Sequence, residues 1–160
     1  MKWFKAILKI LGILVLIGFI GIAYLFYRTG SFTHPTTEQV KTQAGEYVSP
    51  AVAAIVHDWD IAELKKRAHP RLLKELETPQ AEADFKKILS EVGPLKSAVS
   101  CYIDDIKFFG PTLRGDPGYT QVTYNCYGEY EKSNVVFKAI IVQNTIDSPW
   151  QFVGFRVDSP

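Results

Sequence analysis

The residues of this 160-residue chain whose types could do chemistry are two acidic clusters and a pair of cysteines. His57-Asp58-Trp59-Asp60 sets an imidazole beside two carboxylates, the raw material of general acid–base catalysis. Asp60, however, stands where a helix cap is wanted, and Asp58 is expected to face solvent. Asp104 and Asp105 are neighbours in a strand-like run. Alternation sends them to opposite faces, so they cannot form a carboxylate dyad with each other. One of the two is expected to point inward, and that is the sole support here for an acid–base enzyme. His34, His57 and His69 are not at metal-ligand spacing, and Lys65-Lys66-Arg67 reads as a solvated helix face. The chain holds no GxGxxG, Walker, HExxH or GxSxG pattern. No catalytic residue, metal or cofactor is expected.

Cys101 and Cys126 are more informative. Residues that face one another across an antiparallel hairpin keep a constant sum of residue numbers. For these two, that sum centres the turn between Leu113 and Arg114, inside a loop rich in Gly and Pro from Gly110 to Gly118. The two cysteines are therefore expected to face each other directly. At a non-hydrogen-bonded pair the Cα atoms stand about 4.5 Å apart, at the near edge of disulfide reach. A disulfide is the expectation, and two buried thiols are the alternative. Centring the next hairpin on Lys132-Ser133 sets Tyr130 opposite Val135, Gly128 opposite Phe137, Cys126 opposite Ala139 and Tyr124 opposite Ile141. That face is mostly apolar and reads as the core face. Aromatic residues crowd these strands, and ordinary packing accounts for most of them. A sharper reading is a pocket between sheet and helices lined by Tyr102, Tyr124 and Phe137, with tyrosine hydroxyls as polar handles.

The elements that position these residues follow from the change of period along the chain. Before Pro94 the apolar residues recur at helical spacing. Thr37 is the expected cap of a helix with Val40, Ala44, Tyr47 and Val48 on one face. That face continues through Val52, Ile55, Val56 and Trp59, as two helices or one kinked at Pro50. Asp60 and Glu63 have capping-box spacing for a second helix that Pro70 stops. Leu72, Leu73 and Leu76 add a turn or two. Thr78-Pro79 opens a third main helix, with Phe85, Ile88, Leu89 and Val92 in its stripe, and Gly93-Pro94 ends it. Four strand-like runs then follow, about 95–109, 119–131, 134–144 and 150–158, separated by short turns. The expected architecture is α+β: about three helices packed on a four-stranded antiparallel sheet.

At the other end of the chain, residues 10–27 carry no charge. Residues 6–28 read as a transmembrane signal-anchor helix, because a bilayer core needs about 20 apolar helical residues. A buried core helix would show a polar face, and this run has none. A cleaved signal peptide would have a shorter apolar region ending in small residues, whereas this one ends in Leu25-Phe26-Tyr27-Arg28. Lys2, Lys5 and Lys9 precede the run and only Arg28 closely follows it, which places the N-terminus in the cytoplasm. The expected organisation is a cytoplasmic stub at 1–5, the anchor at 6–28, a linker at 29–37, and an extracytoplasmic domain at 38–160. All 17 acidic residues lie beyond residue 30, while four of the 18 basic ones lie before it, so the exported part is net acidic. That balance argues against a nucleic-acid partner.

The order of elements resembles the NTF2-like superfamily, the cystatin-like α+β cone. The resemblance is carried by Trp59-Asp60-x-x-x-Leu64 running to Ala68-x-Pro70, by a helix ending Val92-Gly93-Pro94-Leu95, and by the antiparallel sheet that follows. It covers about residues 38–158. It implies a domain used variously as a small isomerase or dehydratase, as a ligand-free scaffold, or as the periplasmic part of a membrane-anchored secretion component. The isomerases' inward Asp and Tyr constellation has no residue-by-residue match here. The expectation is a membrane-tethered, non-enzymatic interaction module of the cell envelope, in the inner membrane, with an envelope protein or a second copy as partner. The alternatives are a domain binding a small apolar ligand and an isomerase- or hydratase-like enzyme.

Overall fold

The computed structural model describes residues 35–111, 118–145 and 147–158. The stub, the anchor at 6–28, most of the linker with His34, and the expected turn centre at Leu113 and Arg114 lie outside the described residues. Among the described residues no helix is long and apolar enough to cross a membrane.

Among the described residues the fold is α+β, with four helices followed by four strands. Helix α1 spans Thr37–His57. Val40, Ala44, Val48, Ala51, Val52, Ile55 and Val56 are buried along it, a stripe that returns every third or fourth residue. The cap is Thr36 rather than Thr37. Its hydroxyl accepts from the Gln39 amide, and the Gln39 side chain accepts from the Thr36 amide, so two otherwise orphaned donors are satisfied together. The helix runs through Pro50 as one element. The expected three or so helices become four among the described residues: α2 (Ile61–Arg67), α3 (Pro70–Leu76) and α4 (Pro79–Val92) follow as separate pieces. Pro70 cannot donate an amide to the preceding turn, so α2 stops there and α3 starts.

Several caps differ in partner from the sequence reading. Asp60 Oδ1 accepts from the Ala62 amide at 2.8 Å, but Glu63 turns away from the cap to pair with Lys66 and Arg67. His69 caps the N-terminus of α3, its Nδ1 accepting from the Arg71 amide at 3.3 Å. Thr78 and Gly93 bound α4 as expected, with Gly93 at φ 75° and its amide donating to the Leu89 carbonyl.

The sheet is a simple antiparallel meander in the order β1-β2-β3-β4, with β1 at Ser100–Phe109, β2 at Tyr119–Glu129, β3 at Asn134–Gln143 and β4 at Gln151–Val157. The helices cover one face, and the core lies between. The first hairpin has the expected register at its cysteines, Cys101 opposite Cys126, joined by a disulfide with Cα atoms 4.1 Å apart, and is shifted by one residue from Asp105 onward. The second hairpin is shifted by two residues, so Cys126 faces Phe137 and Tyr124 faces Ala139. The reason is the turn. Tyr130 donates its amide to the Ser133 carbonyl, closing a loop one residue earlier than Lys132-Ser133 would centre it. A slip of two leaves every side chain on its expected face, and Tyr124, Cys126, Tyr130, Val135, Phe137, Ala139 and Ile141 all point into the core.

Gly128 exists because of that packing. A Cβ there would sit 2.8 Å from the Tyr130 ring, which lies across it. The Tyr130 hydroxyl in turn donates to the Val56 carbonyl of α1, at 3.4 Å.

Candidate functional site

Trp59 organises the helical side. It sits at φ 49°, a left-handed conformation that side chains rarely adopt, two residues past the end of α1 and just after its cap, Asp58. The Asp60 amide reaches back to the Ile55 carbonyl at 2.9 Å, which closes the turn. A glycine would ordinarily hold this place. Here the indole is only 3% exposed and meets the rings of Phe85, Tyr130, Phe137 and Phe155. Burial of that ring offsets the backbone cost.

Beside Trp59 lies an open groove of about 360 Å³, lined by Asp58, Asp60, Ile61, Glu82, Phe85 and Leu89 with Lys86. Its charges are largely engaged. Asp58 meets His57 Nδ1 at 3.0 Å with both side chains well exposed, and Glu82 pairs with Lys86 at 2.7 Å. That ion pair holds the Glu82 carboxyl below its usual range, and Lys66 with Arg67 does the same for Glu63. The exposed His57–Asp58 contact has no enclosing pocket to make it an acid–base pair.

The interior face offers tyrosines rather than charges. Among the described residues no carboxylate, imidazole or amine is buried. Burial pushes the Tyr124 phenol up to about 12, and it raises those of Tyr47 and Tyr130, with Arg67 pulling Tyr47 partly back. The Tyr124 and Tyr47 hydroxyls find no hydrogen-bond partner among the described residues.

The three residues expected to line a pocket are not brought together. Tyr124 and Phe137 lie on the core face, packed tight. Tyr102 pairs with Asn125 on the opposite face and is 61% exposed. Nor does either aspartate point inward. The register of β1 shifts between Ile103 and Asp105, an extra residue that resets the alternation. Asp104 reaches towards Lys138 at 3.9 Å and Asp105 meets Lys107 at 3.0 Å, both on the outer face of the sheet. Among the described residues no three His, Cys, Asp or Glu side chains cluster as metal ligands.

What remains is the outer face itself. Tyr102, Tyr127 and Val136 stand on it, the last two 37% and 41% exposed, beside Ile140 and a stacked Phe109–Tyr119 pair with ring centroids 4.4 Å apart. Nothing in residue type alone marks this face. Its signal is parity: once Cys126 is fixed inward, Tyr127, Val136 and Tyr102 must be outward. Fold and surface together define a class no narrower than a disulfide-stapled α+β domain with a buried apolar core and an open sheet face. Comparison with known proteins finds no matching family, no matching curated protein and no matching solved structure.

Proposed function

We propose that this chain is a membrane-tethered, non-enzymatic interaction module of the cell envelope. Residues 6–28 anchor it in the inner membrane with the N-terminus in the cytoplasm, and an NTF2-like domain works on the other side. The observation that carries the reading is the division of the sheet. Its inner face is packed solid by Val122, Phe137, Ile141 and Phe152, each 0% exposed, while its outer face presents Tyr102, Tyr127 and Val136 to solvent. Exposed apolar surface rimmed by charge is the signature of a docking surface. Tethering raises its effective concentration against neighbours in the same membrane. A photo-reactive amino acid at Val136 in the intact cell tests it. Cross-linking to another protein or to a second copy is expected, and no cross-link from Val136 would refute it.

The unpartnered Tyr124 hydroxyl favours a second reading, a small apolar ligand held between sheet and helices. Native mass spectrometry of the full chain separates the two. A mass above that of the polypeptide, lost on denaturation, supports the ligand; a bare mass supports the interaction module. The outward Asp104 and Asp105 remove the support for an isomerase- or hydratase-like enzyme.

A further inference from the structure

The outer face of the sheet has an uneven distribution of charge. Across the strands it reads Tyr102, Asn125, Lys138, Arg156 in one row and Asp105, Thr123, Ile140, Gly154 in the next. The β1–β2 half carries Asp104, Asp105 and Glu129 against Lys107. The β3–β4 half carries Lys138 and Arg156 against Asp158. One half is net acidic and the other net basic, with Tyr127, Val136 and Ile140 between them. The local ion pairs are all exposed, Arg156 with Asp158 at 2.8 Å among them, so their side chains can change partner at little cost.

We propose that the occupant of this face is a second copy of the same chain, packed sheet to sheet about a two-fold axis that runs along the strands between β2 and β3. The proposal rests on the interaction-module reading and names its partner. That axis lays β1 of one copy over β4 of the other and β2 over β3. Tyr102 then lies over Arg156 and Asp105 over Gly154 of the second copy, so the long Arg156 side chain reaches diagonally to Asp104 and Asp105, and the same contact repeats by symmetry. Gly154 has no side chain of its own, and Ile140 fills the space that a Cβ would take. A two-fold axis across the strands sets β1 on β1, acid upon acid, and is disfavoured. The buried Asn125 Oδ1, without a partner among the described residues, lies near the centre of this face. Area is sufficient. Four strands about 4.8 Å apart and rising about 3.3 Å per residue span a plane of roughly 600 Å² before side-chain relief, near the about 800 Å² per partner of a standard interface.

The test uses the full chain in a non-ionic detergent, with its mass followed by light scattering across a dilution series. The wild type is expected to be a dimer. Asp105→Arg alone and Arg156→Asp alone each set like charges together twice, and each is expected to weaken self-association about tenfold or more. Mixing the two variants, or combining them in one chain, restores opposite charges at both contacts and should restore the dimer. Near-ultraviolet circular dichroism establishes that every variant is folded. A monomeric wild type overturns the proposal, as does a dimer indifferent to both substitutions or one that mixing does not rescue. Cross-linking from Val136 then separates the two claims. A monomer that still cross-links to another envelope protein overturns only the second copy, and a monomer that cross-links to nothing takes the interaction reading with it.

Discussion

Trp59 supplies a test of the packing logic, because one residue combines a backbone penalty with a large buried ring. Trp59→Ala removes an indole that is 3% exposed and touches four aromatic rings. Truncations of that size cost about 3–5 kcal/mol. Alanine also keeps the left-handed penalty at φ 49°, about 1 kcal/mol for a residue with a Cβ. Glycine loses the same ring but relieves the penalty. Trp59→Gly is therefore expected to be as stable as Trp59→Ala or up to about 1 kcal/mol more stable, the reverse of the order inside a helix. Trp59→Phe should be mildest, about 1–2 kcal/mol, since most of the apolar contact survives. The indole N–H has no partner among the described residues, so its loss strands no acceptor there. Urea unfolding followed by near-ultraviolet circular dichroism reads all three. A glycine variant well below the alanine variant would refute the turn argument, and an alanine variant within about 1 kcal/mol of wild type would refute the central place of the ring.

Three further outcomes are expected. Reducing the Cys101–Cys126 bridge, whose ends are 25 residues apart, should lower unfolding free energy. Loop entropy puts the loss at about 3.5 kcal/mol, and a urea midpoint unchanged by reductant would contradict it. Gly128→Ala should cost about 1–3 kcal/mol, because the Tyr130 ring it strikes is held by Val56 and Trp59; a neutral result would mean that ring moves freely. Stability should also fall at alkaline pH. Tyr124, pushed up to about 12, and Tyr47 and Tyr130, also raised, keep protons in the folded chain that the unfolded chain has already lost. The contribution is intact below about pH 10 and declines towards pH 12, by at most about 1.4 kcal/mol per pH unit for each phenol. A flat urea midpoint across that range would show these phenols to be solvated.

The sequence reading went astray where the chain breaks its own alternation. Asp104 and Asp105 were assigned to opposite faces because strands alternate, yet the apolar residues of β1 were already out of step. Cys101 and Ile103 are two apart, but Ile106 comes three later and Phe108 two after that. An interval of three within a period of two requires one extra residue, and the bulge supplies it at Asp104. Phe152 and Phe155 show the same interval in β4, where the register also shifts. The second hairpin failed more gently. Its register moved by two, an even number, so the core face survived the error. The helical caps were legible in residue type but not in partner. Asp60 caps as expected, while Glu63 was drawn away by Lys66 and Arg67 on the next turn of its own helix.

The sequence by itself determined the class of fold, the change from helical to strand period at Pro94 and the facing cysteine pair, because each depends on neighbours close along the chain or on parity. Only the tertiary structure decided where both aspartates point, how the second hairpin is registered, and that Trp59 occupies a glycine's place. Those outcomes turn on contacts between residues far apart in the chain. Trp59 meets Tyr130, Phe137 and Phe155, and Tyr130 meets Val56. The free energy of burying those rings together overrides local preference, and no local pattern records it.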